Sequence, residues 1–388
     1  MKKICIVAGA RPNFVKVAPL IRAIEKAEGA SYELVYAGRE DDPTLEASLF
    51  DDLQMPRPTV YLGVDSTSLN EITSRVMASF DAYLEQQPAD VVIVVDDLAS
   101  TMAAAIVTKK RGLKLAHLVA GTRSFDMKMP KEVNRLVIDA LSDYLFTAGV
   151  KSNSVATREQ AEGSNTYMVG NILMDSLRFN HQRMKQPSTF RSALPLRLAK
   201  NLTPSTFNLQ PSTYLVFTIN RKALLADEEN LKQMLHAMIE AADGTPIIAP
   251  LRGNALELIQ RFEKESHLTP LSSPFRGSQR GSSPLTPIPS LPYLEFCWLT
   301  AHAKGIITDS GNVAEEATFN GVPCITLNSY TEHQETVTIG SNVLVGEDPV
   351  RLAEEVKKMV SGEWKKCALP DRWDGRTAER IVRILIEN

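Results

Sequence analysis

The chain has 388 residues, 44% hydrophobic and 23% charged, with 43 Lys+Arg against 46 Asp+Glu and a net charge of −3. These proportions exclude a disordered chain, a collagen and a coiled coil, and the near-neutral balance excludes nucleic-acid binding through bulk charge. A typical domain of about 150 residues predicts two or three domains, and four scattered cysteines without a CxxC pair predict reduced, mostly buried thiols in a cytoplasmic protein with no metal site.

From the N-terminus, strands are predicted over 4–8, 32–36, 91–95, 113–119, 144–147 and 166–169. Helices are predicted over 14–27, 69–84, 101–109 and 132–141. Arg11 cuts the first apolar run too short for a signal peptide, and no window approaches the roughly 20 apolar residues of a membrane span. The alternation restarts with strands at 214–218, 246–249, 305–308 and 324–327. Helices follow at 228–241, 255–264, 291–303, 313–320, 349–359 and 377–386.

Strand–helix alternation implies parallel strands joined by right-handed crossovers. The expectation is an α/β protein of two Rossmann-like, doubly wound domains facing across a cleft. The first covers 1–172, with a C-terminal helix at 374–388 packing back on it; the second covers 173–373. Two irregular stretches interrupt the second, near 187–212 and 268–289. The latter is a Ser-Pro-rich insertion whose prolines are expected to bar any ladder or helix.

Two glycine-bearing turns stand at strand ends. Gly9-Ala10-Arg11 follows the first strand, with Lys16 in the first turns of the helix beyond. Open α/β sheets bind ligands at the carboxyl ends of their strands, and a helix N-terminus favours an anion. This turn is neither G-x-G-x-x-G nor a Walker loop, and on spacing alone an ordinary turn and a site remain open. Asp309-Ser310-Gly311-Asn312 follows the strand at 305–308. Ser310, Gly311 and Asn312 present donors at a helix N-terminus, a seat suited to a diphosphate. Glu316, about one and a half turns on, can accept both hydroxyls of a ribose; the alternative is plain capping by Asp309 or Ser310.

Longer words carry a family likeness. They are the run from Gly9 to Leu20, Ala120-Gly121-Thr122-Arg123-Ser124-Phe125-Asp126, Pro130 to Arg135, Val169-Gly170-Asn171, Thr308-Asp309-Ser310-Gly311, Glu315-Glu316-Ala317 and Thr331 to Glu335. In this order they resemble the UDP-N-acetylglucosamine 2-epimerase family, whose two-domain fold is of the GT-B type. The resemblance implies a UDP-sugar ligand, UDP-N-acetylglucosamine, no cofactor, and a homodimer in the service of cell-surface polysaccharide synthesis. It implies that Ser310 and Gly311 hold the diphosphate, Glu316 the ribose, and that Arg11 and Lys16 face the nucleotide. The implied reaction eliminates UDP across C1–C2 of the sugar to a glycal and adds it back, or adds water.

Departures from the family words are as informative. The resemblance puts catalytic carboxylates at Asp97, retained, at the position of Val119, and at the position of Lys131, with Glu132 retained beside it. Asn220 and Arg252 stand where the family words have histidines, and His333 where they have an arginine. Valine carries no proton and lysine reverses a charge, so Asp97 and Glu132 are the remaining candidates for C2 chemistry. His117 reads as a packing histidine. A GT-B glycosyltransferase using the same donor, or a UDP-sugar-binding homologue without catalysis, stays open beside the epimerase.

Overall fold

A computed structural model describes residues 1–185, 211–266 and 285–388. Contacts divide the chain into a first unit, Met1–Asn180 with Pro370–Asn388, and a second, His181–Leu369. These divisions fall within eight residues of the positions 172 and 373 taken from the sequence.

In the first unit the strands are β1 (Lys2–Ala8), β2 (Ala30–Tyr36), β3 (Val60–Tyr61), β4 (Val91–Val95), β5 (Lys114–Leu118), β6 (Tyr144–Thr147) and β7 (Asn165–Met168). The helices are α1 (Arg11–Lys26), α2 (Ala47–Leu53), α3 (Leu69–Gln86), α4 (Ala99–Lys110), α5 (Pro130–Leu141), α6 (Val150–Glu159) and α7 (Leu173–Asn180). The sheet is parallel, in the order β3-β2-β1-β4-β5-β6-β7. Val91–Val95 is buried throughout, as a strand covered on both faces must be. Val92 and Val94 pack with Val76, Phe80 and Leu84 of α3.

In the second unit the strands are β8 (Leu215–Thr218), β9 (Ile247–Leu251), β10 (Leu285–Pro289), β11 (Gly305–Thr308), β12 (Cys324–Thr326) and β13 (Asn342–Leu344). The helices are α8 (Lys222–Ala226), α9 (Glu228–Ala241), α10 (Gly253–Ser266), α11 (Tyr293–Ala301), α12 (Gly311–Asn320), α13 (Glu335–Thr338) and α14 (Pro349–Ser361). The order is β10-β9-β8-β11-β12-β13, again parallel. Both sheets thus follow the 3-2-1-4-5-6 winding of a nucleotide-binding fold, with a switch point between their first and fourth strands.

The closing helix α15 (Thr377–Glu387) packs on α1 and α7 of the first unit. The Asp175 carboxylate accepts the Thr377 and Ala378 N–H groups at 3.1 and 2.8 Å, which caps α15 from another helix.

One expectation is corrected. Of the stretch 268–289, residues 285–289 form β10, paired in register with β9. Proline is tolerated at a sheet edge because only alternate N–H groups must pair, and Pro287 and Pro289 share one parity. The rest of that stretch, and most of 187–212, lie outside the described residues. The amphipathic α6 and the short α2, β3, α7, α8, α13 and β13 were not foreseen. Cys5, Cys297 and Cys324 are buried and Cys367 is exposed. Among the described residues no helix is long and apolar enough to cross a membrane.

Candidate functional site

The two switch points carry the sequence-selected turns. In the first unit, β1 ends at Gly9-Ala10 and β4 ends at Asp96-Asp97. The Asn13 side chain accepts the Gly9 and Ala10 N–H groups at 2.8 and 3.1 Å and donates to Asp96 at 2.7 Å. Lys16, 7% exposed, pairs with Asp96 at 2.5 Å. A Cβ on Gly9 would lie 2.2 Å from the Ser100 hydroxyl, so this glycine makes room for the protein's own side chain. Lys16 therefore spends its charge on a neighbouring carboxylate. Arg11 lines a cavity of about 580 Å³ with Tyr36, Arg39, Asp42 and Ser100.

Asp97 is held from α5. Arg135 donates to it at 2.5 and 2.8 Å, and the Lys131 ammonium stands 3.4 Å away. Burial works to raise this carboxyl, but Lys131 and Arg135 outweigh it and hold Asp97 below the usual range. Glu132, 1% exposed, accepts the Ser124 and Phe125 N–H groups and the Ser124 hydroxyl, each at 2.9 Å. Arg135 adds a fourth donor at 3.1 Å. Against the burial that would raise it, these donors keep the Glu132 carboxyl below its ordinary value. Glu132 thus anchors the loop before α5.

A third buried acid supports the same loop. Asp139 meets His117 Nδ1 at 2.5 Å, Arg123 at 2.7 Å and the Gly121 N–H at 3.0 Å. Burial pushes the Asp139 carboxyl up, and His117 and Arg123 more than reverse that. His117 Nε2 faces the Asp96 carbonyl at 3.0 Å, so both of its ring nitrogens are engaged, as a packing histidine requires. Between these anchors Val119 has φ 76°, a left-handed backbone that is costly for a β-branched residue.

The second unit's switch point is built differently. The Asp309 carboxylate accepts the Asn220 and Arg221 N–H groups at 2.7 and 2.5 Å, tying the β8 turn to the β11 turn. Ser310 stands at the N-cap of α12, but its side chain does not cap the helix. Its own N–H donates to the Thr308 hydroxyl at 3.0 Å. Gly311 is exposed, and a Cβ placed on it would meet nothing within 4 Å. Asn312 is half-buried beside it. An uncapped helix N-terminus below open space, with N–H groups directed outward, is an anion seat.

Glu316 lies on the same helix, 6% exposed, with no hydrogen-bond partner among the described residues. Burial, with Glu315 beside it, pushes its carboxyl up to about 8. A buried acid without partners is expensive for the free protein, and ligand hydroxyls would supply what it lacks. His333, 7% exposed, faces Glu315 at 3.7 Å. Asn220 and Arg252 are exposed. Among the described residues no three His, Cys, Asp or Glu side chains form a metal-binding group.

The fold therefore gathers Ser310, Gly311, Asn312 and Glu316 at one helix N-terminus and first turns, and joins Asp97 and Glu132 through Arg135 while Lys16 pairs separately with Asp96. The sequence pattern gives no role to Arg135 or Asp139. A signal existed for Arg135, since its i, i+3 and i, i+4 spacing from Glu132 and Lys131 puts all three on neighbouring faces of α5. Nothing local pointed to Asp139.

Comparison with known proteins accords with this geometry. The sequence model described as UDP-N-acetylglucosamine 2-epimerase matches residues 22–386. A UDP-N-acetylglucosamine 2-epimerase of Methanocaldococcus jannaschii is 30% identical over 389 residues, 99% of this chain and 98% of that one. A Pseudomonas aeruginosa UDP-2,3-diacetamido-2,3-dideoxy-D-glucuronate 2-epimerase is 29% identical over 347 residues, covering 89% and 88%. The M. jannaschii epimerase solved in complex with UDP-GlcNAc and UDP superposes with a TM-score of 0.81 at 29% identity, covering all of both chains. A lipopolysaccharide outer core galactosyltransferase, WaaB, shares the fold alone, at 13% identity and a TM-score of 0.52.

Proposed function

The chain belongs to the UDP-N-acetylglucosamine 2-epimerase family, and from that premise we propose that it is an isomerase acting at C2 of a UDP-linked N-acetylamino sugar. The single observation that carries the nucleotide assignment is the α12 turn: an uncapped, open N-terminus at a switch point, followed by a buried, unpartnered Glu316. In this reading the Ser310–Asn312 turn takes the diphosphate through N–H donors and the helix dipole, and Glu316 takes the ribose hydroxyls. Asn220 and His333 complete the second unit's contacts. Arg11 serves the ligand from the first unit, and Lys16 acts through Asp96.

Elimination across C1–C2 needs a base at C2 and stabilisation of the departing UDP. Asp97 supplies the carboxylate, with Lys131 against its Oδ1 and Arg135 fixing its Oδ2. Glu132 contributes by holding the 124–125 backbone. The family likeness also supports a homodimer in the cytoplasm serving cell-surface polysaccharide synthesis; sedimentation equilibrium tests the first of these.

The ion-paired state of Asp97 favours one second reading, a glycosyltransferase on the same donor, because transfer needs leaving-group stabilisation more than a free base. Incubation with UDP-N-acetylglucosamine in deuterated water separates the two. Epimerisation puts deuterium at C2, read by proton NMR, and Asp97→Asn abolishes it. Absence of exchange in a protein that still binds UDP by calorimetry would overturn the epimerase. UDP release only with an added sugar acceptor would then select the transferase.

A further inference from the structure

We propose that the first unit carries an additional anion site: an arginine-lined cavity beside β7 that binds the phosphate group of a small molecule. The cavity holds about 450 Å³ and lies where α6, the end of β7, the segment 370–376 and α15 meet. It sits at the sheet's β7 edge, three strands away from the β4 switch point.

Three guanidiniums line it, from Arg372, Arg380 and Arg383. Arg372 donates to the Met168 carbonyl, and Arg380 donates to the Val169 carbonyl at 2.9 Å while pairing with Asp374. Arg372 and Arg383 have no carboxylate partner among the described residues. Asn153 accepts the Thr147 hydroxyl through its Oδ1 at 3.0 Å, which leaves its amide nitrogen as a further donor at the cavity wall. Positive charge is thus in excess, and its carriers are planar forks suited to phosphate oxygens.

The segment that delivers Arg372 is built for it. Arg372 has φ 61°, left-handed for a residue that gains nothing locally from that conformation. Trp373, 1% exposed, pins the next position through a hydrogen bond to the Ala148 carbonyl at 3.0 Å. The Arg372 carbonyl fills the space above Gly170, where a Cβ would lie 2.1 Å from it. Arg372 also covers the outward Met168 carbonyl of the edge strand, so strand addition by a peptide is blocked there. A compact anion is the occupant that fits.

The test uses the full chain labelled at its methionine methyls and titrated with inorganic phosphate at constant ionic strength, against sodium chloride. The Met168 methyl is expected to shift saturably with phosphate while Met359, in the second unit, stays still. Arg383→Glu is expected to weaken the Met168 response at least ten-fold, and Arg383→Gln to weaken it less. Repeating the titration with UDP tells the source: a tighter response assigns a nucleotide-borne phosphate, an absent one free phosphate. An equal response to chloride, or an unchanged phosphate response in Arg383→Gln with its melting temperature intact, overturns the proposal.

Discussion

The two switch points occupy the same place in the same winding, yet at one the buried acids are already partnered by the protein and at the other the buried acid is not. At the end of β4, Asp96, Asp97, Glu132 and Asp139 are all buried or nearly so, and each has cations or N–H donors against it. At the end of β11, Ser310 leaves its helix uncapped and Glu316 is buried without a partner. Topology places a crevice at both; partners decide what each is for. A buried acid whose carboxyl is held low is already bound, and serves as an anchor or a fixed charge. One pushed up to about 8 is waiting for donors.

That contrast is broken most severely from α5. Arg135→Ala leaves both Asp97 and Glu132 without their shared buried cation. Removing one partner of a buried pair costs about 3–5 kcal/mol, so urea denaturation should show a loss of this size. A loss under about 1 kcal/mol would mean that the network does not hold the loop.

The open turn predicts the opposite pattern for its acid. Glu316→Gln should lower UDP affinity about ten-fold, close to 1.4 kcal/mol, for lost charge-assisted hydrogen bonds; calorimetry reads it directly. In the free protein the same change should leave stability equal or higher. The carboxyl is raised from 4.5 to about 8, so its contribution is full below about pH 4.5 and is lost as pH rises through about 8. Wild type should therefore lose stability over that window and Glu316→Gln should lose less. Parallel pH profiles would erase the distinction between the two regions.

The smallest effect concerns backbone. Val119→Gly relieves a left-handed β-branched residue but removes its side chain, so a gain of about 0–1 kcal/mol is expected in the melting equilibrium. A clear loss would show that Val119 packing outweighs its strain.

Part of the candidate site was legible because its signals are local. A glycine-bearing turn between a buried strand and a helix, as at Ser310–Asn312, leaves an anion seat and a plain cap both open on spacing alone, and Glu316 follows from the period of α12. Lys16 was legible as a cation near the first turn but not as one already used, because its partner Asp96 lies 80 residues away. Glu132 read as a candidate base for the same reason, since its four donors come from the folded loop and from Arg135. Proline content misled at 285–289, where an edge position tolerates what a central strand would not.

By itself, then, the amino-acid order determined the alternation of strands and helices, the doubly wound class and the two turns, all properties of hydrophobic period and short-range backbone chemistry. The tertiary structure alone decided which charges meet. Parallel crossovers bring distant residues to adjacent strand ends, and only there do Asp97 and Arg135, or Asp139, His117 and Arg123, become partners while Glu316 is left with none.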